Sequence, residues 1–336
     1  MTDKLTSYFF LLLFAPFLLV ACSDEEEGGT NGNSSSDNTN SNITAAIPEA
    51  GRLEVPHLAN GSQYMLLVHK SVDIGVNMII EWDCKKKAQR WTAYQMYDKN
   101  TKGTWNRNNW QNTEWKGDPF QIDPLLPPEY RTELEDYRGT RYNRGHICPS
   151  ADRLCSKNAN EQTFYLSNMQ PQIYDFNAGV WGNMENQLRK WNENRFRDTL
   201  FVCKGGTIAE GQTLDPGTLV PGSSMKLLVP KYFFMAILCK KNEGYKAIAF
   251  WAEHKADHST KLTPYLISID RLEELTGIDF FCNLIVNTQK LLSLCRKSCL
   301  DNGIPVFFCH NAGHIYAHLI QMLSEPPAGK IIRCQT

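Results

Sequence analysis

The segment Asn143-Arg144-Gly145-His146-Ile147-Cys148-Pro149-Ser150-Ala151-Asp152-Arg153, with Asn168, Asn177 and Glu185 downstream, gathers a histidine, arginines, amides and carboxylates in a short stretch. Cleaving a phosphodiester with the help of a divalent cation calls for groups of these types. A neutral imidazole near its ordinary pKa can take a proton from water at physiological pH. Arginine supplies a permanent planar cation matched to phosphate. Magnesium prefers oxygen ligands and keeps several waters, so one or two protein ligands suffice, and a divalent ion can stabilise a leaving oxygen. These needs map onto His146, Arg144 and Asn177. No other part of the chain gathers a comparable set.

Elements must hold those groups together. Gly145 lets the backbone pass close to the reacting groups, and Pro149 ends local strand pairing. Trp181, Met184, Leu188 and Trp191 recur at helical spacing, which predicts a helix with Asn177 at its cap or in its first turn. An amide there would point its oxygen out of the helix end. Glu185 lies two turns further on, and helical side chains lean toward the amino terminus, so it would reach the same side. Runs at 63–68, 78–82, 90–97, 225–229, 232–238 and 246–251 read as strands, the last two joined by Asn242-Glu243-Gly244 as a hairpin turn. Residues 105–126 read as an irregular loop, and 267–280 as a short helix capped by Asp270 and stopped by Gly277. The expected fold is α+β, with a central, largely antiparallel sheet and flanking helices. No internal repeat is visible.

The 336 residues begin with a segment of another kind. Lys4 precedes an apolar run, Tyr8 to Val20, too short to span a bilayer and suited to the core of a signal peptide. Its end, Leu19-Val20-Ala21-Cys22, resembles a bacterial lipobox, which implies a signal peptide over 1–22, acylation of Cys22 and anchoring to a membrane by several chains. A cysteine beside a conventional cleavage site is the plainer alternative. The following Ser23-Asp24-Glu25-Glu26-Glu27 resembles the surface-export signal of Bacteroidetes lipoproteins, implying the outer face of the outer membrane; a solvated acidic spacer is the other reading. Residues 23–46, acidic and then rich in Gly, Ser and Asn, cannot bury enough apolar area to order themselves and read as a flexible tether. The folded domain is expected over 47–290, with a tail of Cys and His over 291–336.

Charge changes meaning once the leader is set aside. The chain carries 36 acidic and 35 basic residues; without Asp3, Lys4, Asp24, Glu25, Glu26, Glu27 and Asp37, 30 acidic face 34 basic. A mildly cationic domain permits a polyanionic substrate without demonstrating one. Of 11 cysteines, ten remain if Cys22 is lipidated. An exported chain meets oxidising conditions, so Cys148 and Cys155 are expected to form a local disulfide, with two reduced thiols as the alternative. No pair of CxxC motifs suggests a zinc ribbon.

The segment Arg144-Gly145-His146, then Thr163-Phe164-Tyr165-Leu166-Ser167-Asn168-Met169-Gln170-Pro171-Gln172, then Asn177-Ala178-Gly179-Val180-Trp181 and Glu185, resembles the DNA/RNA non-specific endonucleases. These are sugar-non-specific nucleases with a ββα-metal (His-Me finger) active site, and the resemblance runs from about Leu66 to Phe281. It implies His146 as general base, Asn177 as ligand of Mg2+ (with Mn2+ able to substitute), and Arg144 as a cation on the phosphate. It also implies Glu185 as the carboxylate ordering metal-bound water, and Asn168 as a hydrogen-bonding support. The family's upstream arginine is matched best by Arg107, with Arg90 as an alternative. DNA and RNA are the implied substrates, the membrane is met through the lipid anchor, and no protein partner is expected.

Asn143 stands where the family motif begins with aspartate, so that position keeps a hydrogen bond and loses a charge. This departure and the tail motivate the alternative of a catalytically impaired, surface-exposed nucleic-acid-binding protein of the same fold. His310, His314 and His318 share a helical stripe that would suit a metal, as do His254 and His258, but a histidine-bearing surface or tail is the simpler reading for both. Cys148, two residues after His146, is read as structural, since as a nucleophile it would leave the base without its water.

Overall fold

The computed structural model of the chain describes residues 40–109, 117–242 and 244–284. Outside them fall Cys22 and the leader, the spacing between Trp110 and Trp115, and the tail with His310, His314 and His318.

Seven strands form the main sheet: β1 (Tyr64–Ser71), β2 (Gly75–Asp83), β3 (Ala88–Met96), β6 (Thr199–Gly206), β9 (Tyr232–Lys241), β10 (Gly244–Glu253) and β11 (Leu266–Ile267), in the order β1-β2-β3-β6-β9-β10-β11. Every neighbouring pair is antiparallel. Two small antiparallel ladders stand apart, β4 (Asn143–His146) with β5 (Met169–Gln172), and β7 (Thr213–Leu214) with β8 (Val229–Pro230). Among the described residues there are also six short α-helices, α1 (Asp98–Thr101), α2 (Lys157–Gln162), α3 (Tyr174–Phe176), α4 (Gly182–Trp191), α5 (Pro216–Leu219) and α6 (Ile269–Thr276). The architecture is the expected α+β fold around an antiparallel sheet.

Strand periodicity sorts the sheet into two buried faces. Met78, Ile80 and Trp82 of β2 join Leu200 and Val202 of β6 and Phe233, Met235 and Ile237 of β9 on one face. Ile79, Phe201, Cys203, Phe234, Ala236 and Leu238 alternate onto the other. The first face is covered by Val180, Trp181, Met184, Leu188 and Trp191, the residues whose helical spacing was legible in the chain. The second is covered by Ile269 and Leu272 of α6 and by Phe280 and Phe281. Each such side chain, fully buried, contributes about 1.5–3 kcal/mol. Because β3 and β6 are neighbours, β4, β5 and α4, which come between them in the chain, stand outside the main sheet.

Several local expectations change. Of the run 225–229 only Val229 becomes strand, in β8; Met225 and Leu227 instead fill a third core with Phe120, Phe164 and Met169. Ser268 rather than Asp270 caps α6, its side chain accepting the Arg271 N–H, while Asp270 sits in the first turn, where the helix dipole favours a carboxylate. Gly277 stops that helix in the left-handed conformation. Cys148 and Cys155 are both free: Cys148 faces the core, whereas Cys155 lies beyond the turn Ser150–Asp152 and is part-exposed. Asn42, inside the expected tether, is buried, and its amide donates to the carbonyls of Ala50 and Pro56 at 3.0 and 2.9 Å.

Candidate active site

Histidine 146 ends β4, whose register with β5 pairs Asn143 with Gln172, Arg144 with Pro171, Gly145 with Gln170 and His146 with Met169. The Gln172 side chain lies across this ladder against Gly145, where a Cβ would overlap its amide. Glycine is needed there for close approach. Beyond His146 the chain is held by Asn168, which is fully buried. Its Oδ1 accepts the Cys148 N–H at 2.9 Å, and its Nδ2 donates to the carbonyls of Cys148 and Thr163, both at 2.8 Å. These bonds satisfy the backbone just where strand pairing stops.

Asn177 comes from a different element. Helix α3 runs through a π turn, Asn177–Trp181, into α4, with a kink at Gly179 (φ −91°, ψ −111°). Asn177 has right-handed helical angles and donates its N–H to the Ile173 carbonyl, so it is a first-turn residue and not the cap. Wider turns of this kind splay a helix locally and recur at functional sites. Two bonds aim this helix. The Trp181 indole donates to the His146 carbonyl at 3.0 Å, tying helix to strand. At the helix entry, Nε2 of buried His254 accepts the Ile173 N–H at 2.9 Å while its Nδ1–H donates to the Pro230 carbonyl, also at 2.9 Å. His254 is thereby a neutral clamp, and burial pulls its pKa down to about 4.

The ladder and the helix border one cleft of about 540 Å³, lined among others by His146, Asn177, Arg107, Arg144, Asp118 and Asn143. Arg144 pairs with Asp118 at 2.9 Å and lies 3.9 Å over the Phe120 ring. Arg107 is exposed, packs 5.4 Å over the Phe164 ring, and has no carboxylate partner among the described residues. Arg90 lies elsewhere: it pairs with Glu81 and borders a separate pocket.

The His146 ring is wedged between Phe164, edge to face at 5.0 Å, and Phe120 at 5.6 Å. Burial first, then the charges of Arg107, Lys204 and Arg144, pull its pKa down to about 3. The imidazole is therefore neutral at physiological pH. Its Nε2 is enclosed and has no hydrogen-bond partner, and the Asn177 side chain has none among the described residues.

Behind the helix lies a second polar layer held by ion pairs. Lys204 alternates with Leu200 and Val202 on the face covered by α4, and its side chain is 0% exposed. Its Nζ donates to Glu185 Oε1 at 3.1 Å and lies 5.0 Å over the Trp181 ring. Burial raises the Glu185 pKa, opposed chiefly by Lys204. Arg189, one turn on, pairs at 2.9 Å with buried Asp152, which also accepts the Tyr94 hydroxyl at 2.9 Å. Glu185 thus sits behind the cleft rather than in its lining, although its Oε2 has no partner among the described residues.

The structure therefore brings His146, Arg144, Asn177, Arg107 and Asn143 to one cleft, puts Asn168 beneath it and Glu185 at its back. Lys204 and Arg189 escaped the sequence reading, Asp152 was quoted in the motif without a role, and His254, read there as a surface histidine, is instead buried because its ring clamps the Ile173 N–H and the Pro230 carbonyl. Lys204 left a signal, a lone charge at an inward-facing position of an apolar strand.

As to a metal, no cluster of three His, Cys, Asp or Glu is present among the described residues. The donors that are available, the Asn177 amide and one Glu185 oxygen, are hard oxygens. They fit a small cation that keeps most of its water.

The family model for DNA/RNA non-specific endonucleases matches residues 68–287. A nuclease from Nostoc sp. (strain PCC 7120) is 34% identical over 203 residues, covering 58% of this chain and 73% of the relative. The human mitochondrial nuclease EXOG is 28% identical over 228 residues, or 65% of this chain and 59% of EXOG. The fold is shared with a chain from the crystal structure of the EndoG/EndoGI complex, at a TM-score of 0.53 and 18% identity over 67% of this chain and 89% of that one.

Proposed function

The chain belongs to the family of DNA/RNA non-specific endonucleases, and from that premise we propose that it hydrolyses phosphodiester bonds of both DNA and RNA with the help of Mg2+, Mn2+ being able to substitute. The observation that carries this reading is a neutral, wedged imidazole sharing a cleft with an amide that has no partner among the described residues and with Arg107 and Arg144. His146 accepts the proton of the attacking water; burial and the neighbouring cations keep its imidazole in the base form. Arg144 and Arg107 hold the phosphate, Arg144 by exchanging Asp118 for a phosphate oxygen. Asn177 would supply the protein ligand to the cation, and Glu185 Oε2 would accept from its water shell. The chemistry a bound cation would supply there is stabilisation of charge on the leaving 3′ oxygen, which would leave 5′-phosphates on the products. Asn168 and Trp181 fix the strand that presents His146.

We further propose that Cys22 is acylated and that the domain is displayed outside the outer membrane on its acidic tether. Loss of fatty-acid labelling in Cys22→Ala, with release of the protein from membranes, is the expected result; labelling that persists would sink this part.

The activity itself is tested by incubating plasmid DNA and ribosomal RNA with the purified domain, with Mg2+ and with chelator. Cleavage of both that needs the cation is expected. A His146→Ala variant that still degrades plasmid would falsify the assignment, and gel-shift binding without cleavage by the wild type would favour the nucleic-acid-binding alternative.

A further inference from the structure

Tyr174 stands at the wall of the cleft, one helical turn before Asn177, and is 70% exposed. The other large rings in that wall, Phe120, Tyr137 and Tyr142, are buried. Among the described residues the Tyr174 side chain makes no ring contact, ion pair or hydrogen bond. An aromatic face left in water beside the cleft arginines is what single-stranded nucleic-acid sites use: cations follow the backbone while a ring receives a base. No carboxylate or further cation is needed for that contact, and every base has a π face to offer.

We propose that Tyr174 is a stacking platform for a nucleobase beside the scissile phosphate, and that the cleft for this reason favours strands whose bases are unpaired. The inference rests on the nuclease reading of the same cleft and adds the form of the substrate. In a duplex each base is already stacked between its neighbours and paired across the helix, so it reaches Tyr174 only by opening. In a single strand, or a locally melted one, the base turns onto the ring at little cost. Stacking does not touch the 2′-hydroxyl, so single-stranded DNA and RNA gain alike.

The test compares kcat/KM on a short single strand and on the same sequence as duplex, for the wild type, Tyr174→Ala and Tyr174→Phe. Tyr174→Ala is expected to lower the single-strand to duplex ratio by about 5- to 100-fold, the effect of losing one stacked base, mainly through KM. Tyr174→Phe keeps the ring and restores the ratio. A wild-type enzyme given a single strand carrying an abasic residue at successive positions should lose the same factor at one of them. An unchanged ratio in Tyr174→Ala, or Tyr174→Phe behaving like Tyr174→Ala, overturns the proposal. If the wild type cleaves nothing, the nuclease reading fails while the platform is still decided by gel shift: single-strand affinity that Tyr174→Ala weakens supports it, and affinity that Tyr174→Ala leaves alone refutes it.

Discussion

The two sides of the helix that runs from Tyr174 to Trp191 treat their polar groups in opposite ways. Toward the cleft, the Asn177 amide and the Tyr174 ring have no partner among the described residues, and His146 Nε2 across from them has none either. Toward the sheet, Glu185 is held by Lys204 and Arg189 by Asp152. A buried polar group without a partner costs free energy that a paired one does not. The cleft therefore keeps its binding capacity for something outside the chain, and the layer behind it spends the same chemistry on holding the helix in place. Rate should depend mainly on the first side, with Glu185 Oε2 the one atom of the second proposed to serve the cation, and stability mainly on the second.

The largest effects expected are on rate. His146→Ala should lower kcat/KM by about 10²- to 10⁴-fold, the range for losing a general base, with the melting temperature moved little. Asn177→Ala should join it and in addition weaken Mn2+ binding measured by calorimetry on the protein alone. Either variant unfolding instead would erase the contrast between the sides. Next comes the paired layer. Lys204→Met leaves Glu185 buried against an apolar chain and should cost about 3–5 kcal/mol in urea denaturation, whereas adding Glu185→Gln should recover part of that loss. No loss in the single variant would show the layer to be dispensable.

A smaller effect is set by pH. The folded-state pKa values of His146 and His254, about 3 and about 4, lie below the ordinary 6.5. Below pH 6.5 the unfolded chain takes up protons that the folded chain refuses, so stability falls as pH drops, by at most about 1.4 kcal/mol per unit for each histidine. The decline should flatten near pH 4 for His254 and near pH 3 for His146. His254→Gln, whose amide can accept from Ile173 and donate to Pro230, should reduce the slope; an unchanged slope would remove His254 from the account. The smallest effect belongs outside both sides. Cys155 is free and part-exposed, so Cys155→Ser should change stability by less than about 0.5 kcal/mol and leave cleavage alone.

Legibility in the chain followed range. The helix bearing Trp181, Met184, Leu188 and Trp191 was readable because one apolar face imposes one period, and its burial against the sheet followed. Strand 225–229 was misread because apolar residues that fill a core under a loop look the same over five positions as residues in a strand. The Ser268 cap was passed over for Asp270, since both residue types suit a helix start and only backbone angles separate cap from first turn.

By itself the sequence determined the family: Arg144-Gly145-His146, Asn168, Asn177 and Glu185 stand at spacings that name it, and the roles we propose for them follow from that resemblance. Tertiary structure alone decided their state. His146 is neutral because Phe120 and Phe164 take its water away and Arg107 and Lys204, far off in the chain, add their charge. Glu185 stands behind the cleft because β6 brings Lys204 under it. Spacing reports the geometry of near neighbours; desolvation and charge pairing depend on which distant segments pack together, and only the fold supplies that.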